Sequence, residues 1–165
     1  MKKLIALLLL ILVLSNCERD DICPESTATT PKLIIRFYDI TDQTETLRVL
    51  SLRVQGVGND DIYQAAVSSD SLAIPLKTFE NATSFMLHKE YADDGEGNIS
   101  GNEDIINITY NAEEVYVSRA CGYKTVYNNV ELSVVTDDDN WIELIQIENP
   151  LTVDNETAAH VQIFH

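Results

Sequence analysis

Hydrophobic and polar side chains alternate along most of the chain after residue 32. In the first such stretch Leu33, Ile35 and Phe37 share one face, and a spacing of two residues is the period of a β-strand that buries one face. The same alternation predicts further strands at 46–55, 72–76, 83–89, 105–110, 114–121, 130–136, 141–147 and 160–164. The side chains expected to face inward in these later strands are Leu50, Leu52, Val54, Phe85, Leu87, Ile106, Ile108, Tyr110, Leu132 and Val134.

Turn signals separate the predicted strands. Gly56 and Gly58 end the second strand, residues 92–104 form the most obvious loop, and residues 137–140 form a turn. No window of a dozen residues keeps a helical period, although residues 60–69 allow one or two helical turns.

Eight or nine short strands at this spacing predict an all-β fold, an antiparallel β-sandwich of the immunoglobulin-like type. A closed β-barrel is the alternative architecture. Since there is no internal repeat and no break in the pattern after residue 32, residues 32–165 are expected to form a single β-sandwich domain.

The N-terminus has a different pattern. Lys2 and Lys3 precede an uninterrupted apolar run from Leu4 to Leu14, and Cys17 follows closely. The run is about half of the roughly 20 residues that a membrane-spanning helix needs, so it is typical of a secretory segment that is removed. We predict that residues 1–16 are a bacterial lipoprotein signal peptide and that Cys17 is the first mature residue, where lipid is attached.

An ordinary signal peptide that is cut elsewhere is the alternative. Leu14 and Asn16 disfavour it, because such a site needs small residues at positions −3 and −1. Acyl chains such as palmitate on Cys17 would hold the protein on the envelope, since several chains together bind a bilayer almost irreversibly. The expected location is therefore the bacterial outer membrane.

Residues 17–31 are polar, acidic and rich in threonine, with prolines at 24 and 31, and they predict an extended, flexible tether. The whole chain has 27 acidic and 11 basic side chains and a net charge of −16. This charge excludes nucleic acid as a partner, because binding to phosphates needs a basic surface.

Two cysteines remain if Cys17 is lipidated. Outside the cytoplasm such a pair usually forms a disulfide, and two free thiols are the alternative. If Cys23 and Cys121 are paired, the six residue steps from Cys17 to Cys23 span at most about 20 Å. The end of the domain that contains residue 121 would then lie close to the membrane.

Two segments resemble a known family: CERDDICPESTATTPKLIIRFYD (17–39) and VYVSRACGYKTVYNNVEL (115–132). The matching features are the acidic tether that contains a cysteine, Thr-Thr-Pro before the first strand, and the late Ser-x-x-Cys-Gly-aromatic motif. In these features the chain resembles uncharacterised lipoproteins common in Bacteroidetes, especially flavobacteria. The resemblance implies an exported, lipid-anchored β-domain with a disulfide between Cys23 and Cys121. It implies no activity, because the motifs of this domain of unknown function carry none that is known.

Two further features of the same bacteria have counterparts here. Glu18, Asp20 and Asp21 resemble an acidic signal for export to the outer face of the outer membrane. Arg19 interrupts that acidic run, so both the periplasmic and the surface orientation stay open. Asp70-Ser71-Leu72 resembles their O-glycosylation triplet, and an unmodified turn is the favoured alternative.

The acidic loop has the oxygen-bearing side chains that calcium prefers. The weak candidates for ligands are Asp93, Asp94, Glu96, Asn98 and Asp104. Counted from Asp94, position 6 of an EF-hand loop would be Ile99 instead of glycine, and no glutamate closes the loop. We therefore favour a solvated hairpin here, and also at residues 137–139, and predict no metal site and no cofactor.

No motif of a catalytic site is present. His88, His160 and His165 are isolated along the chain, without the spacing of zinc or metalloprotease sites, and are predicted to be exposed strand or terminal residues. The motifs of serine hydrolases are absent as well. We therefore predict no catalytic residue.

The aromatic residues allow two interpretations. Trp141 is predicted to pack in or beside the core, as a single tryptophan of a sandwich usually does. The alternative is a surface for stacking on a sugar or peptide, formed by Trp141, Tyr116, Tyr123 and Tyr127.

The functional hypothesis is a non-enzymatic, membrane-anchored envelope module that binds another envelope protein or a glycan, or assists an assembly. One alternative is a hydrolase of envelope polymers with a carboxylate pair that no motif reveals. The other is a calcium-dependent adhesion module that uses the acidic loops.

Overall fold

The computed structural model describes residues 22–147 and 150–165. This part of the chain is all β and contains no helix, so the predicted fold class is confirmed. The strands are β1 Leu33–Tyr38, β2 Val49–Gly56, β3 Ile62–Ser69, β4 Ser71–Ile74, β5 Ala82–Asp93, β6 Ile99–Ser118, β7 Gly122–Val134, β8 Leu144–Ile147, β9 Leu151–Val153 and β10 Val161–Phe164. Among these residues, no helix exists that could cross a membrane.

The strands form two sheets. The smaller sheet has the order β4-β1-β10-β8 and the larger one β3-β2-β5-β6-β7-β9. The pairings are antiparallel except between β1 and β10, which run parallel with Ile35 opposite Val161. Since the two sheets are separate, the structure is the predicted sandwich and not a closed barrel.

The core lies between the two sheets, because both contribute their alternate apolar side chains to a single cluster. Fully buried members include Leu33, Ile35, Phe37, Leu52, Val54, Leu87, Ile106, Ile108, Tyr127 and Ile163. Trp141 is buried at the edge of this cluster, as predicted. Its indole N–H donates to the carbonyl oxygen of Leu87 at 3.2 Å.

Residues 60–69 do not form the helical turns that the sequence allows. Ile62–Ser69 is strand β3, which pairs with β2 at the end of the larger sheet. Most of its side chains are exposed, and this explains why its sequence lacks the alternation of a half-buried strand.

The inward direction predicted for Leu50 is also wrong. Ser51 has a positive φ of 44°, and the pairing of β2 with β3 shifts register between Val49 and Leu52. A bulge of this kind inserts one residue and changes which face the preceding side chain occupies. Val49 is therefore buried, and Leu50 is 53% exposed.

Residues 92–104 are largely strand, in contrast to the predicted loop. β5 extends to Asp93 and β6 begins at Ile99, so the hairpin turn is short. Glu90 has a φ of 55°, and the register of β5 on β6 shifts between Lys89 and Ala92.

The strands predicted at 105–110 and 114–121 are one long strand, β6. Beyond the core it pairs, among the described residues, only with β7, and residues 112–126 form a two-stranded arm with its turn at 119–121. Cys121 in this turn is bonded to Cys23, with the two Cα atoms 4.8 Å apart. The N–H of Thr125 donates to the Thr30 hydroxyl at 2.9 Å, so the second half of the predicted tether lies along the arm.

Candidate functional site

A cleft of about 640 Å³ opens between the edges of the two sheets. One wall comes from the end of β2 and the start of β3, and the other comes from the segment after β4 and the start of β5. We call it the β3–β4 cleft. Its lining residues include Val57, Asn59, Asp61, Ile62, Tyr63, Pro75, Leu76, Lys77, Glu80 and Phe85.

Tyr63 joins the two walls at the back of the β3–β4 cleft. Its hydroxyl donates to the carbonyl oxygen of Ala73 at 2.6 Å, which links edge strand β3 to edge strand β4. Its ring packs edge-on against Phe85, with 6.3 Å between the ring centroids. Tyr63 and Phe85 therefore form an apolar part of the cleft that is held in place from both sheets.

Two buried tyrosines fix the segment after β4. The hydroxyl of Tyr110 donates to the carbonyl oxygen of Lys77, and that of Tyr127 donates to the carbonyl oxygen of Leu76, both at 2.9 Å. Burial raises the pKa of Tyr110 and raises the pKa of Tyr127 to about 12. Both phenols therefore stay protonated and keep donating.

Several other polar side chains of the cleft are also paired within the protein. The Thr83 hydroxyl accepts the N–H of Lys77 at 3.0 Å and bonds the Tyr110 hydroxyl at 2.6 Å. The Ser84 hydroxyl donates to Asn107 at 2.6 Å. The Lys77 ammonium lies 2.9 Å from the carboxylate of Glu80.

Large apolar side chains are exposed in and beside the cleft. Val57 and Ile62 are each about half exposed, and Phe79, in the segment between Lys77 and Glu80, is 90% exposed. Exposed apolar groups that lie together often mark a binding surface. The β3–β4 cleft thus combines exposed apolar side chains with hydroxyls that are already paired, and Asp61 and the Lys77–Glu80 pair add charge at its surface.

The structure does not bring the five calcium candidates together. Asp94 lies in the exposed turn of the β5–β6 hairpin, where its carboxylate accepts the backbone N–H groups of Glu96 and Asn98 and the side-chain amide of Asn98. The hydrogen bond from the Asn98 side-chain amide is the main reason why the pKa of Asp94 is lowered. Asp93 accepts the N–H of Gly95. Within residues 22–147 and 150–165, no group of three acidic, histidine or cysteine side chains could hold a metal ion.

Asp104 lies elsewhere, with no exposed surface, at the edge of the core. Its carboxylate accepts the backbone N–H of Trp141 at 3.3 Å and of Ile142 at 2.9 Å. Burial raises the pKa of Asp104, against the opposing effect of these hydrogen bonds. Its role is to hold the chain that leads into β8.

The three histidines are not exposed, and that prediction is wrong. His88 and His165 are buried and His160 is half-buried. The ring of His165 packs edge-on against Trp141 at 5.5 Å, and Nδ1 of His160 accepts the N–H of Ile34 at 2.9 Å. Burial is the main cause that lowers the pKa of both His160 and His165.

The aromatic residues proposed for stacking lie in two places. Tyr127 and Trp141 are in the core, whereas Tyr116 and Tyr123 are exposed near the tip of the arm. The four residues therefore do not form a common surface.

The sequence-predicted glycosylation triplet Asp70-Ser71-Leu72 lies outside the cleft. Cys17 is outside the described residues. Ser71 begins strand β4 and is half-buried, with its hydroxyl 3.3 Å from the carbonyl oxygen of Ile35, and Asp70 lies 3.6 Å from Arg36. Sequence reasoning missed the β3–β4 cleft; the one available signal was the pair of apolar residues Val57 and Phe79 in segments that otherwise read as turns.

Residues 51–165 match the model of a family whose description is a family of unknown function (DUF6452). The match begins in β2 and covers all residues that line the β3–β4 cleft, as well as Cys121. The chain belongs to this family. No curated protein and no solved structure matches the chain. The cleft of this DUF6452 member is therefore interpreted from its own geometry.

Proposed function

We propose that the protein is a lipid-anchored, non-enzymatic module of the bacterial outer membrane that binds a polypeptide segment of another envelope protein in the β3–β4 cleft. The leader at residues 1–16 and Cys17 support the anchor, since their layout is that of a lipoprotein signal. The cleft supports the binding function.

The observation that carries the choice of ligand is the state of the polar groups in the cleft. A glycan is recognised mainly through hydrogen bonds, so a glycan site needs donors and acceptors that are free. Here the hydroxyls of Tyr63, Thr83 and Ser84 are all bonded within the protein. Each hydroxyl that lines the cleft is thus engaged within the protein, and the exposed apolar side chains of Val57 and Ile62 favour hydrophobic side chains of a polypeptide.

The strand beside the cleft supports the same conclusion. β3 is the last strand of the larger sheet and pairs only with β2 among the described residues. An unpaired edge presents backbone N–H and C=O groups to which an extended peptide can add as a further strand. Ile62 and Phe79 would then contact alternate side chains of that peptide.

The proposal is tested by photo-crosslinking in intact cells, with a photoreactive amino acid in place of Phe79 or, separately, Ile62. A matched control replaces Ile99, which is 58% exposed at the start of β6, at the end of the β5–β6 hairpin away from the cleft. We expect both cleft positions to capture the same polypeptide and the control position not to capture it.

A second variant shows whether the captured polypeptide occupies the cleft. Val57→Asp adds a charge to the apolar wall at an exposed position, so the fold should be retained, and crosslinking from Phe79 should be lost. Capture of a glycan at the cleft positions, or equal capture of one polypeptide at all three positions, would contradict the proposal.

A further inference from the structure

The tip of the β6–β7 arm has an exposed apolar surface that is separate from the β3–β4 cleft. Tyr116 and Tyr123 face each other across the two strands, with their ring centroids 5.4 Å apart. They are 59% and 65% exposed. Ile22, beside the disulfide-bonded Cys23, is 79% exposed. Three large apolar side chains therefore surround the turn at 119–121.

The charge of the tip differs from that of the molecule. Residues 115–124 contain Arg119 and Lys124 and no acidic side chain, in a chain whose net charge is −16. Arg119 is exposed in the turn. The turn of the arm thus offers two cations to phosphate headgroups, while Asp20, Asp21 and Glu25 flank Ile22 and Cys23 in the sequence.

The disulfide places this tip next to the proposed anchor. Cys23 is bonded to Cys121 in the turn, and the six residue steps back to Cys17 span at most about 20 Å. Acyl chains on Cys17 would therefore hold the tip within reach of the headgroup layer. Tyrosine is enriched at membrane interfaces because its ring is apolar and its hydroxyl can stay hydrated.

We propose that Tyr116, Tyr123 and Ile22 form a membrane-interface contact that seats the tip of the arm on the lipid headgroups. This inference rests on the proposed lipid anchor, and it adds an orientation to it. β6 rises about 3.4 Å per residue, so the eight steps from Tyr110 to Ser118 measure about 27 Å. Tyr110 bonds the segment that lines the cleft, so the arm holds the β3–β4 cleft away from the bilayer, where a protein partner can reach it.

The test uses the full lipoprotein, extracted from cell envelopes and reconstituted into vesicles of phosphatidylethanolamine and phosphatidylglycerol with brominated acyl chains, which quench indole fluorescence. Tyr123→Trp puts an indole at the tip, and Phe79→Trp puts one beside the cleft as the matched control. Trp141 is buried, and its emission is measured in the parent protein and subtracted.

We expect the emission of Tyr123→Trp to shift to shorter wavelength on ordinary vesicles and to be quenched on brominated vesicles. The emission of Phe79→Trp should be the same on both. If the protein floats with the vesicles but Tyr123→Trp is not quenched, the interface contact is wrong and the anchor is retained. If the protein bears no lipid and does not float with the vesicles, the anchor fails and the orientation argued from it fails too.

Discussion

Asp104 shows how one buried side chain fixes a segment that is distant in sequence. Its carboxylate accepts the N–H groups of Trp141 and Ile142, which would otherwise be buried without partners. The ring of Trp141 in turn packs against Phe37 and His165. A residue that looks like part of an acidic loop in the sequence therefore organises the edge of the core.

We expect Asp104→Ala to lower the free energy of unfolding by roughly 2–4 kcal/mol, because it leaves two buried N–H groups unpaired. Asp138→Ala, in an exposed turn, is the matched control and should change the free energy by less than about 0.5 kcal/mol. Urea unfolding followed by Trp141 fluorescence measures both. Equal effects of the two variants would contradict the role given to Asp104.

His160 makes stability depend on pH. Burial lowers its pKa in the folded state, and protonation of Nδ1 would remove the bond from Ile34. Above about pH 6.5 the histidine is neutral in both states. Below that pH the unfolded chain binds the proton first, so stability falls as the pH is lowered.

We therefore expect the free energy of unfolding to be smaller at pH 5.5 than at pH 7.5, and the difference to shrink in His160→Gln, which cannot titrate. His165, whose pKa is lowered too, keeps part of the effect. Urea unfolding at the two pH values measures the difference, and an unchanged difference in the variant would show that His160 is not responsible.

Gly101, opposite the bulge in β5, has the closest surroundings of the six glycines. Gly101 has a φ of 111°, and a Cβ there would lie 2.7 Å from the carbonyl oxygen of Glu90 and also meet that of Lys89. No side chain fits between the strands at this point. Glycine therefore permits the bulge that lets β5 and β6 continue beyond the core.

Gly101→Ala should lower the free energy of unfolding by about 2–4 kcal/mol, through both backbone strain and the contact with two carbonyl groups. Gly97→Ala is the matched control: its φ is also positive, at 93°, but the space around it is open. It should cost only about 1 kcal/mol of backbone strain. Thermal unfolding compares them, and an equal loss would mean that the close contact is unimportant.

Alternation predicted the elements that bury one face. Leu33, Ile35 and Phe37 in β1, and Ile106 and Ile108 in β6, are buried as expected. The alternation failed where a strand buries neither face or where a bulge interrupts its period. Edge strand β3 is almost fully exposed, and Ser51 reverses the pattern of β2 by a bulge that no local signal marks.

The cleft and the pairing of the arm were beyond sequence reasoning for a different reason. A strand was predicted at 114–121, but its continuity with 105–110 and its pairing with β7 beyond the core were not, because the alternation within one strand does not specify its partner. The β3–β4 cleft depends on two sheet edges that meet only in the fold. Strand edges and the distance between sheets are set by tertiary packing and not by the period of one strand.

At the scale of the whole molecule, the β6–β7 arm separates the disulfide from the β3–β4 cleft. The Cys23–Cys121 disulfide lies at one end, and the hydrogen bonds of Tyr110 and Tyr127 hold the cleft-lining segment where the arm joins the core. With the proposed anchor at Cys17, one end would face the membrane and the cleft would stand away from it. This arrangement depends on the lipid being attached to that one cysteine.

Metabolic labelling of growing cells with radioactive palmitate is the most direct measurement of this dependence. The account predicts that the protein takes up label and sediments with envelopes, and that Cys17→Ser takes up none and retains residues 1–16. A wild-type protein without label, or a Cys17→Ser variant that is labelled and processed like the wild type, would contradict it.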